Sequence, residues 1–399
     1  MDFYRHLFLK RTDGAPITFV LVYTLSILFT FQMLITAYSS STYMEQFIAP
    51  AYIGLLYSVG AAVAIFITLT LPRLLRSIGN VATCLLLVLA INLSLLLIGL
   101  ALGPILTTLA FILYTALSPQ IYINIDIFLE TLTGTAEGTT GTTRGLILTL
   151  MSVAAFLSPL AMGQIVGEES NLSHVYYVGA AVGLFLIVII VARFRSFLDP
   201  VYQTIRVRDM IRDVAQNTDI KVVMTAQFLL QFFFTWAIIY IPLYLADYIG
   251  FDWPTISLIL AAGLLAFVLF EYPIGMIADR HIGEKEMMAL GFVLLALTMA
   301  AASFMAEFAM ISWMILMFVS RIGASLVEVT TESYFFKKVT GDQPALISLF
   351  RLMRPLANLL GALVGSLSLL FLPFHLIFLV LALAMVCGVF ITSLLTDTK

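Results

Sequence analysis

The amino-acid sequence predicts an all-α integral membrane protein, with twelve transmembrane helices arranged as two similar six-helix bundles. Three observations carry this. Mean hydropathy over the 399 residues is +1.06, with 61% hydrophobic and 11% charged residues, more apolar surface than one water-soluble core can hide. Apolar runs of about 20 residues or more recur along the whole length, each able at about 1.5 Å per residue to cross a hydrocarbon core of roughly 30 Å. The runs are continuously apolar and rich in Leu, Ala and Gly, whereas barrel strands alternate apolar and polar positions.

The expected crossings, in order, are 17–38, 48–72, 80–101, 104–129, 144–167, 173–194, 221–247, 254–278, 286–306, 308–333, 343–369 and 373–395. The first is longer than a signal-peptide core and has no small-residue cleavage site close behind it, so it is expected to be retained as a helix. Charge in the connections alternates. Apart from Arg321, Arg351 and Arg354, the twenty Lys and Arg lie in the N-terminal tail, at the C-terminus or in every second connection. The intervening loops carry acids such as Glu45, Glu168, Glu169, Asp252 and Glu307, and no Lys or Arg. This asymmetry places both termini in the cytoplasm, in the cell membrane, and requires an even number of crossings. Cys84 and Cys387 fall inside apolar runs, outside any redox or metal spacing, and read as small core residues. The net charge of −3 gives no sign of a nucleic-acid partner, because the basic residues form a membrane rim.

The longest connection divides the chain into a first bundle (1–194), a cytoplasmic linker (195–220) and a second bundle (221–399). In the linker, Val207, Met210, Ile211 and Val214 recur at helical spacing with Arg208, Arg212 and Asp213 between them, which predicts an amphipathic helix on the membrane face. The halves repeat. "LPRLLRSIGN" (71–80) aligns with "GMIADRHIGE" (275–284), matching Arg76 to Arg280, Ile78 to Ile282 and Gly79 to Gly283. Asp126 and Glu130 in the fourth helix align with Glu328 and Glu332 in the tenth, each pair at i, i+4. Two similar bundles facing one another hold substrate near the midplane between them.

On these features the chain resembles the major facilitator superfamily over essentially its whole length. Gly275, Asp279 and Arg280 match that family's Gly-x-x-x-Asp-Arg-x-Gly motif between the eighth and ninth helices. Gly283 comes one position later than the pattern, Glu284 stands where a basic residue is usual, and Leu75 replaces the aspartate in the first-half copy. "SPLAMGQIVG" (158–167) keeps Pro159 and Gly163 of the fifth-helix exporter signature, with Ser158 and Met162 at its other glycine positions. The resemblance implies alternating access through a cavity lined by the first, fourth, seventh and tenth helices. It also implies a gating role for the stretch around Gly275, Asp279, Arg280 and Gly283, with Gly275 allowing close helix packing and Asp279 capping neighbouring helix ends.

Charges within the crossings sharpen the expectation. Arg321 lies near the middle of the tenth helix, and Arg351 and Arg354 lie at i, i+3 in the inner part of the eleventh. An arginine at such depth costs about 2.5–3.5 kcal/mol or more, so each must face a water-filled cavity or a carboxylate. Glu328 and Glu332 either neutralise Arg351, Arg354 or Lys337, or release an arginine during the cycle to hold an anionic or strongly polar group; the resemblance favours Arg321 for that contact. Asp126 and Glu130, with Arg144, read as a salt-bridged cytoplasmic gate together with Glu332 and Arg351, and Asp126 also as a proton site. Glu271 and Glu328 are the other proton-coupling candidates. Gln32, Gln120, Gln227, Gln231, Trp236 and Tyr240, with Arg354, complete the candidate substrate contacts, along with Tyr114 and Asn124; each of the uncharged ones equally suits an interhelical hydrogen bond.

These residues describe a secondary active transporter for a small anionic or amphiphilic organic solute, coupled to protons and complete as a monomer. The alternatives on the same architecture are a lipid transporter and a sensor without flux. No metal or cofactor is expected, and catalysis is not: the sequence lacks H-E-x-x-H, G-x-S-x-G and P-loop motifs, and its four histidines are scattered at membrane edges.

Overall fold

The computed structural model describes residues 18–133, 140–167, 171–200, 214, 217–280, 283–305, 309–338 and 344–395; within these, only the backbone is described at 130, 133, 140–146, 148, 272, 276, 278–280, 336–338, 344–345 and 347–348. The elements are α1 (Phe19–Ala37), a short α2 (Ser40–Met44), α3 (Ile53–Leu100), α4 (Pro104–Thr133), α5 (Thr140–Val166), α6 (Ser173–Arg193), α7 (Thr218–Leu243), α8 (Trp253–Arg280), α9 (Glu284–Ala302), α10 (Met310–Lys338), α11 (Pro344–Phe371) and α12 (Ile377–Thr392). Among the described residues, 11 helices are long and apolar enough to cross a membrane. One of them, with the turn before it, runs Pro50–Leu100, twice the needed length. It breaks at Gly79, whose φ of 78° and ψ of 170° lie outside the helical region, so α3 supplies the second and third crossings as two arms and the total is twelve.

The break shows how the chain turns back without a loop. A φ of 78° is a conformation that side chains with a Cβ disfavour. A Cβ on Gly79 would also run into the Asp199 carboxylate. That carboxylate accepts the backbone N–H of Asn80 at 2.7 Å, satisfying a donor that the break would leave open. Where the first-half copy of the loop motif has Leu75 for an aspartate, a carboxylate therefore reaches the same turn from the segment after α6. At the matching turn of the second half, Gly283 precedes α9 with ordinary φ and ψ of −61° and 154°, and the buried Glu284 accepts a hydrogen bond from Ser333 of α10 at 3.2 Å.

Polarity is arranged as a membrane solvent demands. Large apolar side chains such as Phe66, Ile105, Phe185, Leu383 and Phe390 point outward, and Ser, Thr, Asn and Gln are buried among the helices. Their hydroxyls return to the carbonyl one turn back, as in Ser118 to Tyr114 and Ser257 to Trp253, both at 2.7 Å. The two halves pair their helices in the same way. α1 packs on α4, α5 and α6, as α7 does on α10, α11 and α12; α3 packs on α4 and α6, as α8 does on α10 and α9 on α12. Between the halves, α3 meets α11 and α5 meets α8, contacts that the same pseudo-two-fold exchanges.

The linker helix expected within 195–220 falls mostly outside the described residues. Of the close packing expected at Gly275, the described residues show only an ordinary contact: their nearest atom to a Cβ there would be Val329 Cγ1 of α10 at 3.8 Å.

Replacing Gly79 with Ala is expected to destabilise the protein by about 1–3 kcal/mol, the usual cost of a left-handed conformation for a residue with a Cβ. A lowered midpoint of thermal unfolding in detergent checks it; an unchanged midpoint would show that the turn relaxes freely.

Candidate functional site

The contacts between the bundles differ at the two membrane faces. On the face away from the chain termini they are close and, apart from the carboxyl contact of Glu45 with Asp247, are made by hydroxyls, carbonyls and glycines. Ser58 of α3 donates to the Leu359 carbonyl of α11 at 2.9 Å, and Ser366 of α11 donates to the Ala51 carbonyl. Gly54 lies directly on Ala362, Ser366 and the Tyr240 hydroxyl, where a Cβ has no space. On the other flank, Gly163 of α5 lies against Ser257 of α8. α2 rests on α7 at the same level.

Beneath this seal lies a cavity of about 110 Å³ with walls from both halves. Tyr57, Phe111 and Tyr114 face Thr235, Ile239 and Asn358 across it. All its described lining residues are uncharged. Asn358 continues a row along α11: Arg351, Arg354 and Asn358 stand at i, i+3 and i+7 and so share one side of the helix. The two arginines, nearer the face of the termini, are exposed. Charge thus lines the mouth, and an amide the closed end.

At the mouth, Arg351 Nη1 meets Asp126 Oδ2 of α4 at 2.9 Å, an ion pair between the bundles. Its side chains are 47% and 34% exposed, so it contributes no more than about 1 kcal/mol to stability and can open cheaply. Asp126 and Arg351, both expected at a cytoplasmic gate, thus meet across the opening between α4 and α11, while the pairing expected of Asp126 with Arg144 rests on a side chain outside the described residues. Ser152 of α5 donates to Glu271 Oε2 of α8 at 3.3 Å, also between the bundles. Glu271, Glu328 and Glu332 are electrostatic neighbours, and among the described residues Arg354 is a cation close enough to Glu328 to act on it. The side chains of Glu130, Arg144, Asp279 and Arg280 lie outside the described residues.

Several expected substrate contacts are occupied by the fold. Gln32 donates to Asn92 at 3.1 Å and to the Gly179 carbonyl at 3.0 Å, joining α1, α3 and α6. Gln120 Nε2 donates to the Ala64 carbonyl at 3.2 Å, and Gln120 Oε1 accepts from Thr68 at 3.1 Å. Trp236 and Tyr240 donate to the carbonyls of Gly361 and Ala362 at 2.8 and 2.6 Å, joining α7 to α11. Gln227 and Gln231 are buried, with side-chain carbonyls that have no hydrogen-bond partner. Arg321 is 3% exposed and lies behind the α7 wall, its guanidinium 5.1 Å from the Phe233 ring centroid. The Tyr38 hydroxyl from the first half interacts with it, and Nη1 has no hydrogen-bond partner.

The sequence reading missed Tyr57 and Asn358, which periodicity alone would put equally on a packing face. It also missed the contact of Glu45, just after α2, with Asp247 at the end of the α7 crossing. Burial, reinforced by the Asp247 carboxylate to which it is hydrogen-bonded, pushes the Glu45 carboxyl up to about 9. The lack of Lys and Arg in these loops was the available signal. A raised carboxyl favours the protonated folded state, so its contribution is complete below the usual carboxylate range, near 4.5, and is lost as pH rises through about 9. The melting temperature of the wild type should therefore fall between pH 5 and 9 relative to that of Glu45→Gln; parallel curves would contradict this contact.

The family model described as Major Facilitator Superfamily matches residues 223–399. No curated protein matches the sequence. Among solved structures, the crystal structure of a single-residue mutant of the nucleoside transporter NupG is similar with a TM-score of 0.73 at 15% identity, covering 94% of this chain and 98% of that one. The crystal structure of NupG without that mutation is similar with a TM-score of 0.71 at 15% identity and the same coverage. The second half thus carries the sequence pattern of the Major Facilitator Superfamily, and the paired bundles have the fold of these solved transporter structures.

Proposed function

We propose that this protein is a secondary active transporter that moves a small organic solute across the cell membrane by alternating access, with protons as the coupling ion. One observation carries the reading: a cavity between the bundles is sealed on one face by close contacts of hydroxyls, carbonyls and glycines and opens toward the other past groups whose charge pairing crosses between bundles. With the termini in the cytoplasm, as the distribution of Lys and Arg indicates, this is an inward-open arrangement. One chain supplies both walls, so a monomer suffices.

The charged groups suit the cycle. Asp126 and Arg351 have to part or re-pair whenever the mouth changes width. Glu271 and Glu328 lie where bundle movement alters their neighbours, which is what a carboxylate that takes and releases a proton requires. Arg321, buried with one guanidinium nitrogen unsatisfied, is poised to gain a polar partner when the bundles rock.

In proteoliposomes with an imposed pH gradient, Arg321→Ala and Glu328→Gln are each expected to lower solute uptake about tenfold or more, the factor supplied by about 1.4 kcal/mol. Wild-type rates in folded variants would remove both from the mechanism. Asp126→Asn and Arg351→Gln should each change the uptake rate several-fold with little effect on KM, and the double variant should do no more than either alone; additive effects would separate the two residues. Solute binding without flux in the wild type would identify a sensor instead.

A further inference from the structure

We propose that the closed end of the cavity binds an uncharged single-ring group bearing a carbonyl, of the carboxamide or lactam type, and that Asn358 is the donor that recognises it. This rests on the transport reading above and adds the chemical class of the solute.

The wall chemistry selects against charge. The described lining is uncharged, and a carboxylate carried to the closed end would lose water without meeting a cation, since Arg354 and Arg351 stand one and two turns away on α11. Arg321 is turned away: Thr235 and Ile239 of α7 line the cavity, whereas Phe233, which carries the guanidinium, lies on the other side of that helix.

The polar contacts that remain suit a carbonyl. Thr235 donates to Asn358 Oδ1 at 2.7 Å, its shorter contact, against 2.9 Å to the Gln231 carbonyl. With Oδ1 engaged, the Asn358 side chain offers its two Nδ2 protons. In the opposite wall, the Tyr57 hydroxyl is enclosed without a hydrogen-bond partner. Its neighbour Ser40 has its own proton engaged by the Thr36 carbonyl at 2.7 Å and accepts from Tyr176 at 3.0 Å. Tyr114 is satisfied by Thr36 at 2.7 Å and so presents only its ring.

Shape and size suit one ring. Tyr57 and Phe111 pack edge-on, with centroids 5.1 Å apart and planes at 82°, and Ile239 and Pro355 form the facing wall. A planar group fits between an aromatic and an aliphatic wall. The volume of about 110 Å³ is of the order of the roughly 150 Å³ cavity that admits benzene. Any larger part of the solute would project toward the arginines.

The test is binding of benzamide and 2-pyridone, against benzoate as the anionic analogue of benzamide, to the full-length protein in detergent at pH 7 by calorimetry. Benzamide and 2-pyridone are expected to bind, benzoate at least about tenfold more weakly. Asn358→Leu should weaken benzamide about tenfold or abolish its binding, and Tyr57→Phe should weaken it several-fold. Benzoate binding as tightly as benzamide, absence of binding by both neutral probes, or benzamide binding unchanged in Asn358→Leu would each overturn the proposal. The comparison of amide with acid on the wild type needs no variant to fold. Proteoliposome flux of another solute that survives in Asn358→Leu would leave the transport reading standing and remove this one, whereas loss of all flux in the wild type would remove the transport reading itself.

Discussion

A polar group inside this protein has no water to turn to, and the structure depends on how that constraint is met. Gln32 shows the solution. Its amide donates its protons to Asn92 and the Gly179 carbonyl, joining three helices where hydrocarbon contact alone would give no preferred register. Gln120, Trp236 and Tyr240 do the same for α3 with α4 and for α7 with α11. The apolar surface faces outward and gives solubility in lipid; the internal hydrogen bonds give each bundle its shape.

The same constraint divides the interface between the bundles into two kinds of contact. On the sealed face, serine hydroxyls meet backbone carbonyls and Gly54 removes the last side chain between helices. Such contacts are short-ranged, so they are lost together once the helices part. At the mouth, Asp126 and Arg351 meet while partly in water. Water stabilises each ion nearly as well as the partner does, so the pair can exchange with solvent at little cost. A seal of close contacts and a mouth of exchangeable charges suit a molecule whose two ends must open at different times. The Glu45 contact with Asp247 adds the one place on the sealed side, among the described residues, where a proton enters such a contact.

The expected and observed residues differ for a consistent reason. The crossings and the paired halves were legible because each leaves a local mark: an apolar run, a repeated motif. The polar residues were legible as belonging inside, but not as belonging to a wall or a joint. Gln32 and Asn358 are both amides within an apolar helix; one is consumed by Asn92 and the Gly179 carbonyl, the other keeps its donor free. Which happens depends on a carbonyl some 60 to 150 residues away, and no spacing within one helix reports it. Gly275 made the opposite point, since its motif suggested a close approach and its nearest described neighbour is an ordinary 3.8 Å contact.

The sequence by itself determined that this chain lives in a bilayer, crosses it twelve times and is built as a repeated half, because hydropathy and charge act residue by residue along the chain. Only the tertiary structure decided that Asp126 pairs with Arg351, that Arg321 stands behind the α7 wall, and that the closed end of the cavity is uncharged. Those outcomes depend on which helix faces are brought together across the two bundles, and a distance between residues remote in sequence exists only once the bundles have packed.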